Sequence, residues 1–205
     1  MSPVNPGGAK RHASSAAAVE TPDEVKPRAP RVRREEPRDN TKVAPHDRRE
    51  GVTVRSATLA DLPTVVELRV ALLREHPEHL VYGRLRPDAR ERAYDVFGAQ
   101  LRSANEVMLL AERDGIVVGI LRCVDTPNSP LLYPDRYCYV SSVYVRPAAR
   151  RAGVLKTLLR HAESWCEERG LTEMRLHNVP DGVASAAWES QGFVVIEQVR
   201  TRGTR

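Results

Sequence analysis

The stretch Val143-Tyr144-Val145-Arg146-Pro147-Ala148-Ala149-Arg150-Arg151-Ala152-Gly153-Val154-Leu155-Lys156 decides how the rest of the 205-residue chain is read. β-Branched and aromatic residues run up to Pro147, which ends a strand. A basic turn follows, and a helix begins at Gly153. The first backbone N–H groups of a helix have no partner inside it, and the helix dipole adds positive potential there. Arg150, Arg151 and Lys156 surround that end, and Gly153 lets a ligand approach the backbone with no Cβ in the way. The stretch predicts an anion site suited to a phosphate or pyrophosphate. Taken alone, the same residues would serve equally as a solvent-exposed basic turn.

The surrounding chain supplies a context. Tyr137 to Val145 reads as one β-branched and aromatic strand. Gly153 to Arg169 places Leu155, Leu158, Leu159, Ala162 and Trp165 on one side of a helix, with Gly170 as its C-cap. A strand over Leu171–Val179 follows, then a short helix from about Gly182 to Ser190 with Asp181 as N-cap. Gly192-Phe193 turns into a final strand, Val194 to Val199.

Upstream, Val52 and Val54 alternate in a first strand. Leu62, Val65, Val66, Leu72 and Leu73 recur at helical spacing, with Asp61 as a cap. A second helix runs from about Asp88 to Ser103, with Ala93, Val96, Phe97 and Leu101 on one face. Val107–Ala111, Asp114-Gly115 and Ile116–Leu121 predict a hairpin. The order β-α-α-β-β-β-α-β-α-β implies an α/β chain with a mixed sheet covered by helices. Aromatic residues are only 5%, so the core is expected to be mainly aliphatic.

Val143–Pro147 followed by Arg150–Val154 resembles the acetyl-CoA signature of the GNAT N-acetyltransferase superfamily. Ala184-Ser185-Ala186-Ala187-Trp188-Glu189-Ser190-Gln191-Gly192-Phe193 is similar to that family's second signature. The element order agrees from about Val52 to the C-terminus. The resemblance implies a GNAT-like fold, a twisted, mostly antiparallel sheet splayed between its fourth and fifth strands, with helices on both faces. It implies that the pantetheine arm of acetyl-CoA lies in the splay. The backbone of Val143, Tyr144 and Val145 would line that gap, and the Val143 N–H would polarise the thioester carbonyl. The N–H groups of Arg151, Ala152, Gly153, Val154, Leu155 and Lys156 would hold the pyrophosphate, aided by Arg150. Asp181 and Trp188 complete the expected acetyl-CoA contacts. No metal is expected.

Three positions depart from the family pattern. Leu155 stands at a Gly/Ala position, and its spacing to Leu158 and Leu159 assigns it to the core. Asp181 replaces an Asn and retains capping ability. Trp188 replaces the tyrosine that often protonates the leaving thiolate, and indole has no such proton to give. That loss is modest. A thiol of pKa about 8.5 leaving as thiolate at pH 7 costs about 2 kcal/mol, whereas deprotonating an amine of pKa about 10.4 costs about 4.6 kcal/mol. The base matters more than the acid. His177, near the splay, is the candidate, with Ser142, Ser141 and Tyr139 able to hold a water and Asp135 able to attract a cationic amine.

Residues 1–50 contain no Leu, Ile, Phe, Tyr or Trp, seven of the fifteen prolines, and eleven basic against eight acidic residues. Such a segment cannot bury enough apolar surface to offset its ordering entropy. It is expected to be a disordered basic, Pro-rich arm, leaving 51–205 as the N-acetyltransferase domain. Arg28–Arg34 could meet nucleic acid, but neighbouring acids dilute its field and no aromatic is present for stacking. An arm-driven nucleic-acid binder would lose affinity steeply with salt, and the chain is not expected to be one. No membrane-length apolar run, no secretory leader pattern, and three widely spaced cysteines fit a cytoplasmic protein.

The expected activity is direct acetyl transfer from acetyl-CoA to a primary amine of a small molecule or peptide, by a monomer or homodimer. The alternative is a non-catalytic, acyl-CoA-binding module. Thiol release across an amine panel separates the two.

Overall fold

The computed structural model describes residues 51–180 and 182–204; the segment 1–50, Asp181 and Arg205 lie outside the described residues. Among the described residues, five strands form one sheet in the order β1-β2-β3-β4-β5. They are β1 (Val52–Ser56), β2 (Glu106–Arg113), β3 (Ile116–Pro127), β4 (Arg136–Val145) and β5 (Met174–Leu176). The first four are antiparallel, while β4 and β5 run parallel. The helices are α1 (Leu62–Arg74), α2 (Ala89–Gln100), α3 (Val154–Arg169) and α4 (Gly182–Glu189).

Both faces of the sheet are covered, which explains why consecutive strand residues are apolar. Leu109 and Leu121 join the cluster with Leu158, Ala162 and Trp165 of α3. Their neighbours Leu110 and Ile120 join the opposite cluster with Val65 and Leu68 of α1 and Phe97 of α2. Gly119 sets the distance of α3 from the sheet. A Cβ there would stand 3.0 Å from Val154 Cγ1 and 3.2 Å from the Tyr144 carbonyl oxygen. The β2–β3 turn takes positive φ at Asp114 (50°) and Gly115 (76°), the conformation that an Asp-Gly hairpin turn requires.

Four local expectations are corrected. Val194–Val199 forms no strand; strand propensity needs a ladder partner, and none of the described residues provides one. Val194, Val195 and Ile196 are exposed instead. The strand expected over Leu171–Val179 is confined to Met174–Leu176, the residues of that stretch in register with β4. Asp61 precedes α1 without bonding its N–H groups. Its carboxylate accepts instead from Arg55 at 2.7 and 2.9 Å and from the Thr58 N–H at 2.8 Å. On α2, Ala93 and Phe97 are buried but Val96 faces solvent.

Candidate active site

The β4–β5 ladder consists of Cys138–Met174, Tyr139–Arg175 and Val140–Leu176. Beyond Val140 the strands part, because β5 ends while β4 runs on to Val145. The cause lies in β4. Ser142 has a left-handed φ of 62°. The β3–β4 register shifts there, with Ile120 opposite Tyr144 but Arg122 opposite Ser141. Two residues, Ser142 and Val143, are therefore fitted against one, a bulge that bends the strand away from its parallel neighbour. The Arg146 N–H bonds the Val118 carbonyl at 2.8 Å, so strand alternation turns the peptide groups of Val143 and Val145 towards the open seam.

The N-terminus of α3 lies at the end of this strand. Gly153 is its N-cap, with φ of 75°, and Arg151 takes φ of 61°. Among the described residues nothing accepts a hydrogen bond from the N–H groups of Val154, Leu155 or Lys156; the first intrahelical bond runs from the Thr157 N–H to the Gly153 carbonyl at 3.0 Å. The turn is held by Arg113, which donates to the Ala152 carbonyl at 3.2 Å. Arg151 and Lys156 are exposed, Val154 is buried, and Leu155 packs against the α3-side core with Val143 and Val145.

Arg150 differs from expectation. Its Nε donates to the Val145 carbonyl at 2.9 Å, and its Nη2 pairs with Glu75, just past α1. It also lies over the ring of buried Tyr144, 5.7 Å from its centroid. This guanidinium straps α1 to the end of β4, which leaves Arg151 and Lys156 as the cations directed to solvent around the helix end.

Where the seam opens, the Tyr139 Oη lies 3.2 Å from His177 Nδ1. Burial raises the phenol's pKa, so Tyr139 stays protonated at neutral pH. A cavity of about 280 Å³ joins this pair to Ser141, Ser142 and Val143 of β4, to Trp188 of α4, and to Arg69 of α1. Trp188 packs edge-on to Phe193, with ring centroids 5.4 Å apart. The Ser142 hydroxyl is buried and donates to Ser141 Oγ at 3.4 Å. Asp135 precedes β4, at the end away from the seam. Asp181 lies outside the described residues.

The sequence reading missed Arg69. The available signal was a charge inside the apolar run Val65-Val66-Glu67-Leu68-Arg69-Val70, with Arg69 four residues after Val65 and three after Val66. From sequence Tyr139 is legible only as a possible water holder, since its contact with His177 joins β4 to the residue just after β5, distant in sequence.

The cysteines do not provide a nucleophile. Cys123, Cys138 and Cys166 are all buried and free. Hydrogen bonding to Cys123, with burial, pushes the Cys138 thiol up to about 12, and its contact with Cys138 and burial raise Cys166 as well. None of the described His, Cys, Asp and Glu residues forms a group able to hold a metal.

The sequence matches the acetyltransferase (GNAT) family over residues 67–193, and the chain belongs to that family. An aminoglycoside N(6')-acetyltransferase type 1 of Klebsiella aerogenes is 30% identical over 95 residues, 46% of this chain and 62% of that protein. The match thus spans less than two thirds of that relative's length. A predicted acetyltransferase from Clostridium acetobutylicum, solved with acetyl-CoA, shares the fold with a TM-score of 0.62 at 17% identity, covering 74% of this chain and 96% of the other. The aminoglycoside antibiotic 6'-N-acetyltransferase AAC(6')-IG from Acinetobacter haemolyticus gives 0.58 at 25% identity, covering 74% and 97%.

Proposed function

We propose that the chain is an acetyl-CoA-dependent N-acetyltransferase acting on a primary amine of a small molecule. One observation carries the reading: the seam between β4 and β5 opens beside Val143 and leads to unpaired N–H groups at the start of α3. Such a seam suits an extended pantetheine arm, and such a helix end suits a diphosphate. Acetyl-CoA would supply an activated acyl group on a thioester.

The chain's own residues then have distinct tasks. The N–H of Val143, directed into the seam, would donate to the thioester oxygen as negative charge develops there, a preorganised electrostatic contribution. With its proton on Nδ1, His177 donates to Tyr139 Oη and presents the Nε2 lone pair to take a proton from the amine. The new bond joins the amine nitrogen to the acetyl carbon while the carbon–sulfur bond breaks. The departing sulfur leaves as thiolate and takes its proton from solvent, since Trp188 has none to give. Arg151 and Lys156 would add positive potential around the diphosphate. The inert thiols support transfer without an acyl-cysteine.

The relatives that act on aminoglycosides support a small-molecule amine over a peptide. The alternative, a binding module without turnover, draws support only from Trp188. Steady-state thiol release with acetyl-CoA and a panel of amines tests the choice. Release with at least one amine class supports the enzyme; tight acetyl-CoA binding with no release from any class favours the module.

A further inference from the structure

Among the described residues, Arg69 is a cation without a counterion. It sits on the buried side of α1 between Leu68 and Val70, both buried. Its Nε is fully shielded from solvent yet has no hydrogen-bond partner, and it makes no ion pair with any described residue. One face of the guanidinium rests over the Phe97 ring, 5.1 Å from its centroid. The other described groups that border the cavity include His76, Tyr82, Tyr139 and His177, and no aspartate or glutamate is among the described residues there. The nearby Arg122 has its own counterion: it pairs with Glu106 and donates to Ser141 Oγ at 3.3 Å. Among the described residues, the cavity that reaches Val143 therefore carries one uncompensated positive charge.

Such a group is costly to the free protein. Burial and the charge of Arg122 lower its pKa to about 10, so it remains a cation at neutral pH. A desolvated guanidinium with an open hydrogen-bonding edge gains most from a planar anion that accepts two parallel N–H bonds. Methionine or leucine would fill the same space on α1 without that penalty.

We propose that the acceptor amine carries a carboxylate, and that Arg69 receives it while the amino group is directed to the Tyr139–His177 end of the cavity. This rests on the acetyltransfer reading and narrows its substrate class. It also separates this chain from relatives that act on aminoglycosides, whose many ammonium groups would be repelled by Arg69. The carboxylates of Glu173, Glu189 and Glu197 border an adjoining cleft, which shares Tyr139, His177 and Trp188 with this one but does not include Ser141, Ser142 or Val143.

The test compares matched acceptors: amino acids, their amides, the corresponding amino alcohols, and the aminoglycoside kanamycin. Thiol release gives kcat/KM for each. Calorimetry measures binding of the same compounds to the CoA-loaded protein. The carboxylate form should exceed its amide by tenfold or more in kcat/KM, chiefly through the acceptor KM. Arg69→Gln should remove that preference without changing KM for acetyl-CoA, and Arg69→Lys, which keeps the charge, should retain part of it. Thermal melts establish that each variant is folded. Equal use of acid and amide, or a preference for kanamycin, would overturn the proposal, as would absence of carboxylate preference in both assays. Carboxylate-selective binding without thiol release would count against acetyl transfer alone and leave the Arg69 site standing.

Discussion

Val140 is the last residue of β4 to pair with β5, opposite Leu176, and two residues later Ser142 takes a left-handed φ of 62°. The end of the ladder and the bulge are one event. A sheet continued to Val145 would satisfy its own peptide groups and leave no slot for a ligand.

Gly153 should be intolerant of a side chain. A β-branched residue at φ of 75° costs about 1–2 kcal/mol in strain and would displace the start of α3. Gly153→Val should weaken acetyl-CoA binding at least tenfold by calorimetry, with a fall in melting temperature of several degrees.

His177→Ala should lower kcat about 100-fold, the usual scale for a general base, with little change in acetyl-CoA affinity. Exogenous imidazole should restore part of the lost rate. Tyr139→Phe, which removes the 3.2 Å contact but leaves the ring in place, should cause a smaller loss in kcat. A base role for His177 fails if its variant retains full turnover.

Trp188→Phe should keep kcat within about threefold of the parent, because the indole packs on Phe193 and supplies no proton to the leaving group. Loss of turnover in a folded variant would require a direct role for the indole N–H.

Acid stability should depend on Asp61. Its hydrogen bonds from Arg55 hold the carboxyl down at about 2, against an ordinary value of 3.8. The folded value is depressed, so the contribution is complete above the unfolded value and disappears as pH falls through about 4 towards 2. Asp61→Asn should cost about 1–2 kcal/mol near neutrality after allowance for solvent screening, and should flatten the acid limb of a denaturation profile over that range.

The sequence made the framework legible because apolar periodicity is local. The helix at Val154–Arg169, the Asp114-Gly115 hairpin and the basic turn before Gly153 are all set by neighbours within a few residues. What escaped was non-local. Arg150 looked like a phosphate ligand, but its partner Glu75 is remote in sequence. Val194–Val199 has strand composition, yet a strand requires an aligned neighbour that composition cannot supply. Arg69 carries chemical meaning only because Phe97 lies against its guanidinium and Ser141 and His177 border its cavity, and these come from α2, β4 and the segment after β5.

The most direct measurement is a crystal structure of the protein with CoA bound. The diphosphate should lie within hydrogen-bonding distance of the N–H groups of Val154, Leu155 and Lys156, with the pantetheine arm in the seam beside Val143 and its sulfur facing the Tyr139–His177 pair. CoA bound elsewhere, or a seam closed by pairing of Ser141–Val145 with the segment after Leu176, would contradict the account.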